Sequence, residues 1–234
     1  MAWWVKKDVS YLGPGFDWVD EAKEPTWPIY SLGLSVSYRL SPDNVPRVAR
    51  ARGKCKGAPR QGIFLVDCAV VCRPKLKELV EQVEPGVHLF VPIELQYEDG
   101  SPMEGEFYYF NCQVDIDCVL TDNKEEWFRS GRVDGRITPS FSLIQKLTPL
   151  DIRLSKPQIA GHHLWTGGVH GHNQLFISDE FYEICRKARF KAWEYWRHCE
   201  EVDREWVAEE HMGPLLDLWR ECEAKGDHSP IRWI

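Results

Sequence analysis

The sequence predicts an α+β fold: a mixed or largely antiparallel sheet with packed helices and a C-terminal helical appendage. Three observations point there. Alternating or continuous apolar runs mark strands at Leu34–Leu40, Gly62–Cys68, Val87–Leu95 and Glu106–Val119. Apolar residues at helical spacing mark helices after Pro74 and after Ser178. No internal repeat, low-complexity tract or domain linker divides the 234 residues, so the chain reads as a single domain, 1–234.

Residues 1–60 form a loop-rich N-terminal part, punctuated by Gly13-Pro14-Gly15, Pro25, Pro28, Pro42 and Pro46 around the Leu34–Leu40 strand. The core, 60–197, opens with the Gly62–Cys68 strand, which runs toward a helix beginning at Pro74. Proline suits that first position, because its missing N–H would have no partner there anyway. Leu76, Leu79, Val80 and Val83 share one face of this helix, and Glu84-Pro85-Gly86 ends it. Val87–Leu95 and Glu106–Val119 flank the acid-rich Gln96–Gly105 turn and form a hairpin. Ile137–Ile159 is a less regular extended region. Gly161–Glu180 reads as strand, glycine loop, strand and then a helix capped by Ser178. Its hydroxyl accepts from first-turn amides, and Asp179 and Glu180 suit the positive end of the helix dipole. That helix buries Phe181, Ile184, Cys185 and Ala188, and Phe190–Trp196 makes a short closing strand. Residues 198–234 form an acidic extension of two helical pieces broken at Gly213-Pro214. Val202 and Trp206 mark the first piece; Leu215, Leu218, Trp219 and Cys222 mark the second.

Composition narrows the class. Apolar residues at 43% and charged residues at 28% are those of a globular protein, which excludes fibrous and wholly disordered chains. Tryptophan is abundant, with 11 copies, as in densely packed or binding proteins. Met1–Asp8 lacks the apolar core of a signal peptide, and the longest apolar stretch, Ile63–Cys72, contains Asp67. It falls well short of the roughly 20 residues that span a bilayer. The expectation is a soluble, cytoplasmic protein with no membrane partner. Eight scattered cysteines without a CxxC pair read as reduced small hydrophobes.

Charge is unevenly placed. Residues 200–223 hold nine acids against Arg204 and Arg220, an excess equal to the whole net charge of −7. Arg47 to Arg60 carries six cations and no acid. Solvated surface explains both runs; complementarity to charged partners is the sharper reading.

Catalytic signatures are missing: no phosphate loop, dinucleotide fingerprint, nucleophile elbow or zinc helix occurs. His162, His163, His170 and His172 flank the glycine loop and have the chemistry for metal binding or proton transfer. Adjacent histidines on a strand point to opposite faces, however, so His162 and His163 diverge. Asp115 and Asp117 share one face of their predicted strand, as an acid–base pair would, though a solvated sheet face or sheet-end hydrogen bonds account for them better. Arg47–Arg60 lacks the interleaved aromatics of a nucleic-acid site, and the chain is acidic. No catalytic residue, metal or cofactor is assigned, and no nucleic-acid partner is expected.

The order of motifs resembles a family of bacterial polymorphic-toxin immunity proteins. The resemblance spans about 60–197. It rests on the helix, Pro-Gly and strand of Leu76–Glu94, on Phe107-Tyr108-Tyr109-Phe110-Asn111 followed by Asp115, Asp117 and Ser130, on His163-Leu164-Trp165, and on Leu175-Phe176-Ile177-Ser178-Asp179-Glu180. These match a Y-x-L-N strand, an h-[FW]-R strand and an [IV]-F-[VI]-S-[DE] helix entry. Thr166 stands where the family tends to have Arg, and Ala192-Trp193 where Gly and an aliphatic are usual.

The resemblance implies a non-enzymatic protein that binds a cognate secreted toxin and neutralises it by covering its active site. Trp165, Phe176, Ser178 and Asp179 are then framework residues of the family motif. The acidic extension adds an expected interface at Glu209, Glu210, Asp217 and Glu221, facing a basic, nuclease-like toxin. Two rival readings stand beside it: an enzyme using the His162–His172 loop with Asp115 and Asp117, and a nucleic-acid or regulatory module using Arg47–Arg60. The sequence leaves homo-oligomerisation open.

Overall fold

A computed structural model describes residues 2–7, 15–19, 40–60, 62–66, 69–120, 128–133, 136–141, 152–167, 171–190, 193–207, 210, 220–221 and 224–226. The fold is α+β with mixed sheets. Fourteen strands are described: β1 (Ala2–Lys7), β2 (Phe16–Trp18), β3 (Val48–Ala51), β4 (Ile63–Val66), β5 (Ala69–Cys72), β6 (Leu89–Gln96), β7 (Phe107–Asn111), β8 (Val119–Leu120), β9 (Phe128–Val133), β10 (Arg136–Phe141), β11 (Arg153–Ser155), β12 (Leu164–Gly167), β13 (Gly171–Ser178) and β14 (Trp193–Val202). The helices are α1 (Pro74–Glu81), α2 (Lys156–Ile159) and α3 (Asp179–Lys187).

One six-stranded sheet runs β2-β3-β6-β7-β5-β4. The expected hairpin is β6 and β7, antiparallel with Val91 opposite Tyr109. The Gly62–Cys68 expectation locates β4; Ala69–Cys72, not anticipated as a strand, folds back on it. Alternate residues of all six strands, among them Phe16, Ala49, Phe64, Val71, Val91 and Phe107, make a common cluster. The sheet therefore curls, and its two end strands approach each other, with the rings of Phe16 and Phe64 6.3 Å apart.

The other six-stranded sheet runs β12-β13-β1-β14-β11-β8. Residues 114–120 link its two edges. Thr166 N–H donates to Val114 O at 3.0 Å and Ile116 N–H to Thr166 O at 2.9 Å on the β12 side. On the far side Ser155 N–H donates to Cys118 O at 2.7 Å, and β8 pairs with β11. This sheet closes on a core of Trp4, Leu154, Trp165, Phe176 and Cys199, with Val114 and Ile116 packed against it.

Four expectations are corrected here. Glu106–Val119 is not one strand: β7 ends at Asn111, and the chain crosses to the second sheet before β8. The alternation of Val114, Ile116 and Cys118 is real, but it serves the core of the second sheet. Of the expected Phe190–Trp196 strand, Trp193–Trp196 begins a longer one, β14, that lies mid-sheet between β1 and β11 and extends to Val202. The expected first helical piece is therefore displaced: Val202 ends a strand, and 203–207 has no regular structure. Helical positions follow at 210, 220–221 and 224–225. Finally, the loop-rich N-terminal part supplies a central strand, β1, paired with both β13 and β14. The Leu34–Leu40 strand lies outside the described residues, Leu40 apart. Within Ile137–Ile159 the chain forms β10, β11 and α2.

Between the two sheets lies a third cluster, which α1 and α3 complete with Leu76, Leu79, Val80, Phe181 and Cys185. Ser178 caps α3 as expected: its Oγ accepts from Phe181 N–H at 3.1 Å, with φ −74° and ψ 160°. Asp179 and Glu180 occupy the first turn, and Arg186 and Lys187 the last, each matched to the helix dipole. Phe181 and Cys185 are buried, and Ile184 and Ala188 pack at the margin.

Candidate functional site

The polar groups with most chemistry gather where the sheets meet. Glu84 follows α1 and is 6% exposed, yet it is a carboxylate. Its Oε2 lies 2.7 Å from Nε2 of His88, a side chain with no exposed surface. Its Oε1 accepts from His163 N–H at 2.9 Å, and His162 Nδ1 stands 4.0 Å away. On the far side of the His88 ring, Nδ1 accepts from Gln113 N–H at 3.2 Å. That acceptor role places the ring proton on Nε2, where it is donated to Glu84. Burial works to raise the Glu84 carboxyl, but hydrogen bonds from His88 and the His163 backbone outweigh it and hold the group below the ordinary Glu value.

The network continues outward. His163 Nδ1 is 3.0 Å from Ser178 Oγ, so the cap of α3 is tied to the loop that precedes β12. The two histidines precede β12 rather than lying on a strand: His163 turns to Ser178, while His162, 41% exposed in its side chain, keeps Nδ1 4.0 Å from Glu84. His170 lies outside the described residues, and His172 sits on β13. Asp115 and Asp117 do not share a strand face, because their segment is the crossing between sheets. Asp115 accepts from Thr166 Oγ1 at 2.6 Å, which fixes 114–116 to β12. Among the described residues no group of three or more His, Cys, Asp or Glu is arranged to hold a metal ion.

A second polar corner joins β1, β14 and α3. Trp3 stacks on Tyr182 with ring centroids 4.0 Å apart and meets His198 at 4.1 Å. Its indole N–H donates to Asp179 at 2.6 Å, and His198 Nε2 lies 3.7 Å from the same carboxylate oxygen. The four residues expected as framework, Trp165, Phe176, Ser178 and Asp179, thus have distinct tasks. Trp165 and Phe176 are buried and stacked on each other, Ser178 caps, and Asp179 anchors the N-terminal strand. Neither Glu84 nor Trp3 was singled out from the sequence. The only sequence signal for the first was a Glu-x-x-x-His spacing across Pro85-Gly86, and for the second an indole three residues from the start.

Of the expected interface, Glu209 and Asp217 lie outside the described residues. Glu210 is exposed and pairs with Arg204 at 2.6 Å, and exposed Glu221 pairs with Lys225 at 3.3 Å. Glu200 lies on β14 and pairs with Arg153 at 3.1 Å. Cys72, Cys112, Cys118, Cys185 and Cys199 form no disulfide among the described residues and are buried among apolar side chains; desolvation raises the thiols of Cys72, Cys112, Cys118 and Cys199, the last to about 12. Low-pKa thiolate chemistry is disfavoured at those four positions. No helix among the described residues is long and apolar enough to cross a membrane.

The polar groups described above hold elements of the fold together. Comparison with known families finds a match: the Immunity protein family (Imm11) matches residues 47–200. That is well over half of the chain, and the chain belongs to the Imm11 immunity protein family. A search of curated proteins finds no match.

Proposed function

We propose that the chain protects its host by binding a cognate secreted toxin and covering the toxin's active site or substrate groove, without catalysis of its own. Membership in the immunity family over residues 47–200 carries the reading. The engagement of Glu84, His88, Asp115 and Ser178 in structural hydrogen bonds supports it, since each is held by the fold rather than presented to a substrate. An interface of ordinary size, about 1,200–2,000 Å², suffices for such inhibition. The acidic stretch around Glu209, Glu210, Asp217 and Glu221 suits a basic, nuclease-like toxin, because opposite fields raise association rates. The test is co-expression with the toxin domain encoded beside this chain: cells survive and the two proteins co-purify. Cell death despite soluble expression of this chain, with no complex recovered, would overturn the reading.

A further inference from the structure

The basic run Arg47–Arg60 divides into two sets. Arg47 donates to Pro42 O at 2.9 Å, Arg50 to Gln96 Oε1 at 2.9 and 3.1 Å, and Arg52 to Asp17 at 2.7 Å. These three brace β3 and its surroundings. Lys54, Lys56 and Arg60 are exposed, and among the described residues none has a hydrogen-bond or ion-pair partner. The loop that presents them is nevertheless fixed. The Arg73 guanidinium donates to Pro59 O at 2.9 and 2.6 Å, Cys55 and Ala58 pack against the core of the curled sheet, and Arg52 N–H donates to Gly15 O at 2.8 Å.

We propose that Lys54, Lys56 and Arg60 form a docking surface for a carboxylate-bearing face of the toxin, an inference that rests on the immunity reading and names part of its interface. Three cations within seven residues repel one another, and no acid of the run offsets them. A partner's carboxylates relieve that repulsion. A loop already held in place loses little conformational entropy when it docks. On a chain with net charge −7, a local positive patch also orients an approaching partner. Protein fits better than nucleic acid: no aromatic lies between 47 and 60 to stack a base, and the overall charge opposes a polyanion. Nuclease-like toxins offer such a face, because carboxylates gather where divalent metals are held. A cationic loop seated there would dock and occlude together.

The experiment compares two triple charge reversals with equal change in net charge. One is Lys54→Glu, Lys56→Glu and Arg60→Glu; the other reverses exposed cations off this loop, Lys156→Glu, Lys187→Glu and Arg189→Glu. Toxin association is followed at low and high salt, with thermal midpoints confirming that both variants fold. The loop variant is expected to associate about tenfold more slowly at low salt, with the difference shrinking at high salt, while the second variant stays near wild type. Equal slowing of both, or no slowing of the loop variant while wild type binds, overturns the docking surface and leaves the immunity reading intact. A wild-type chain that does not bind the toxin at all removes both. Binding of generic duplex DNA by wild type, lost in the loop variant, assigns the loop to nucleic acid and overturns the proposal.

Discussion

Glu84 is charged and buried, a combination that costs several kcal/mol unless partners replace the lost water. Here two hydrogen bonds replace it, one from His88 and one from the His163 backbone 79 residues away. Because the folded state holds this proton less tightly than the unfolded chain, the stability it contributes is complete above the ordinary Glu value of 4.5. That contribution is lost as pH falls through the depressed folded value. Glu84→Gln is expected to lower stability at pH 7 by about 1–3 kcal/mol and to flatten the acid limb below pH 4.5. Denaturation midpoints across pH check this, and parallel acid limbs for variant and wild type would count against it. Ser178→Ala should cost about 0.5–2 kcal/mol, since it removes the cap of α3. Toxin binding should persist; lost binding with an unchanged midpoint would make Ser178 a contact residue instead. The cap was legible because Ser-Asp-Glu follows an apolar run within one local stretch. Glu84 was not, because Glu-Pro-Gly reads as a helix stop and a partner 79 residues on leaves no local pattern.

Elements were legible where a single run of side chains set the outcome. Both longer helices and the β6–β7 hairpin fall where apolar spacing placed them. Failures occurred where the alternation was true but the partner was distant. Val114, Ile116 and Cys118 alternate as a strand would, yet they belong to the crossing that seals the second sheet. In β14 the charged residues of Trp193–Val202 masked a strand whose neighbours, β1 and β11, come from the start of the chain and from 153–155. The crossing depends on Thr166, which donates to Asp115. Thr166→Val should lower stability by about 1 kcal/mol and speed hydrogen exchange at the Ile116 amide, which donates to Thr166 O. Unchanged exchange there would mean that the backbone pairing alone holds the crossing.

At the scale of the whole molecule, charge is concentrated in two stretches of the sequence: an acidic carboxy-terminal one and a short basic loop. Reversal of Glu209, Glu210, Asp217 and Glu221 is expected to slow association with a basic toxin, most strongly at low salt, while dissociation changes less. Equal association rates at two ionic strengths for wild type and variant would reduce these acids to a solubilising surface. The fold class and the immunity family were legible from motif order, since those motifs are core and cap positions that the fold dictates. The binding face was not, because surface residues answer to the partner rather than to this chain's packing. The central claim, inhibition by binding alone, is tested most directly by titrating the purified chain into a fixed amount of its toxin while the toxin's activity is followed. The account predicts a linear fall to zero, with the end point at one equivalent and recovery of an intact complex. Activity that persists at saturation, or that vanishes with a small fraction of an equivalent, would contradict it.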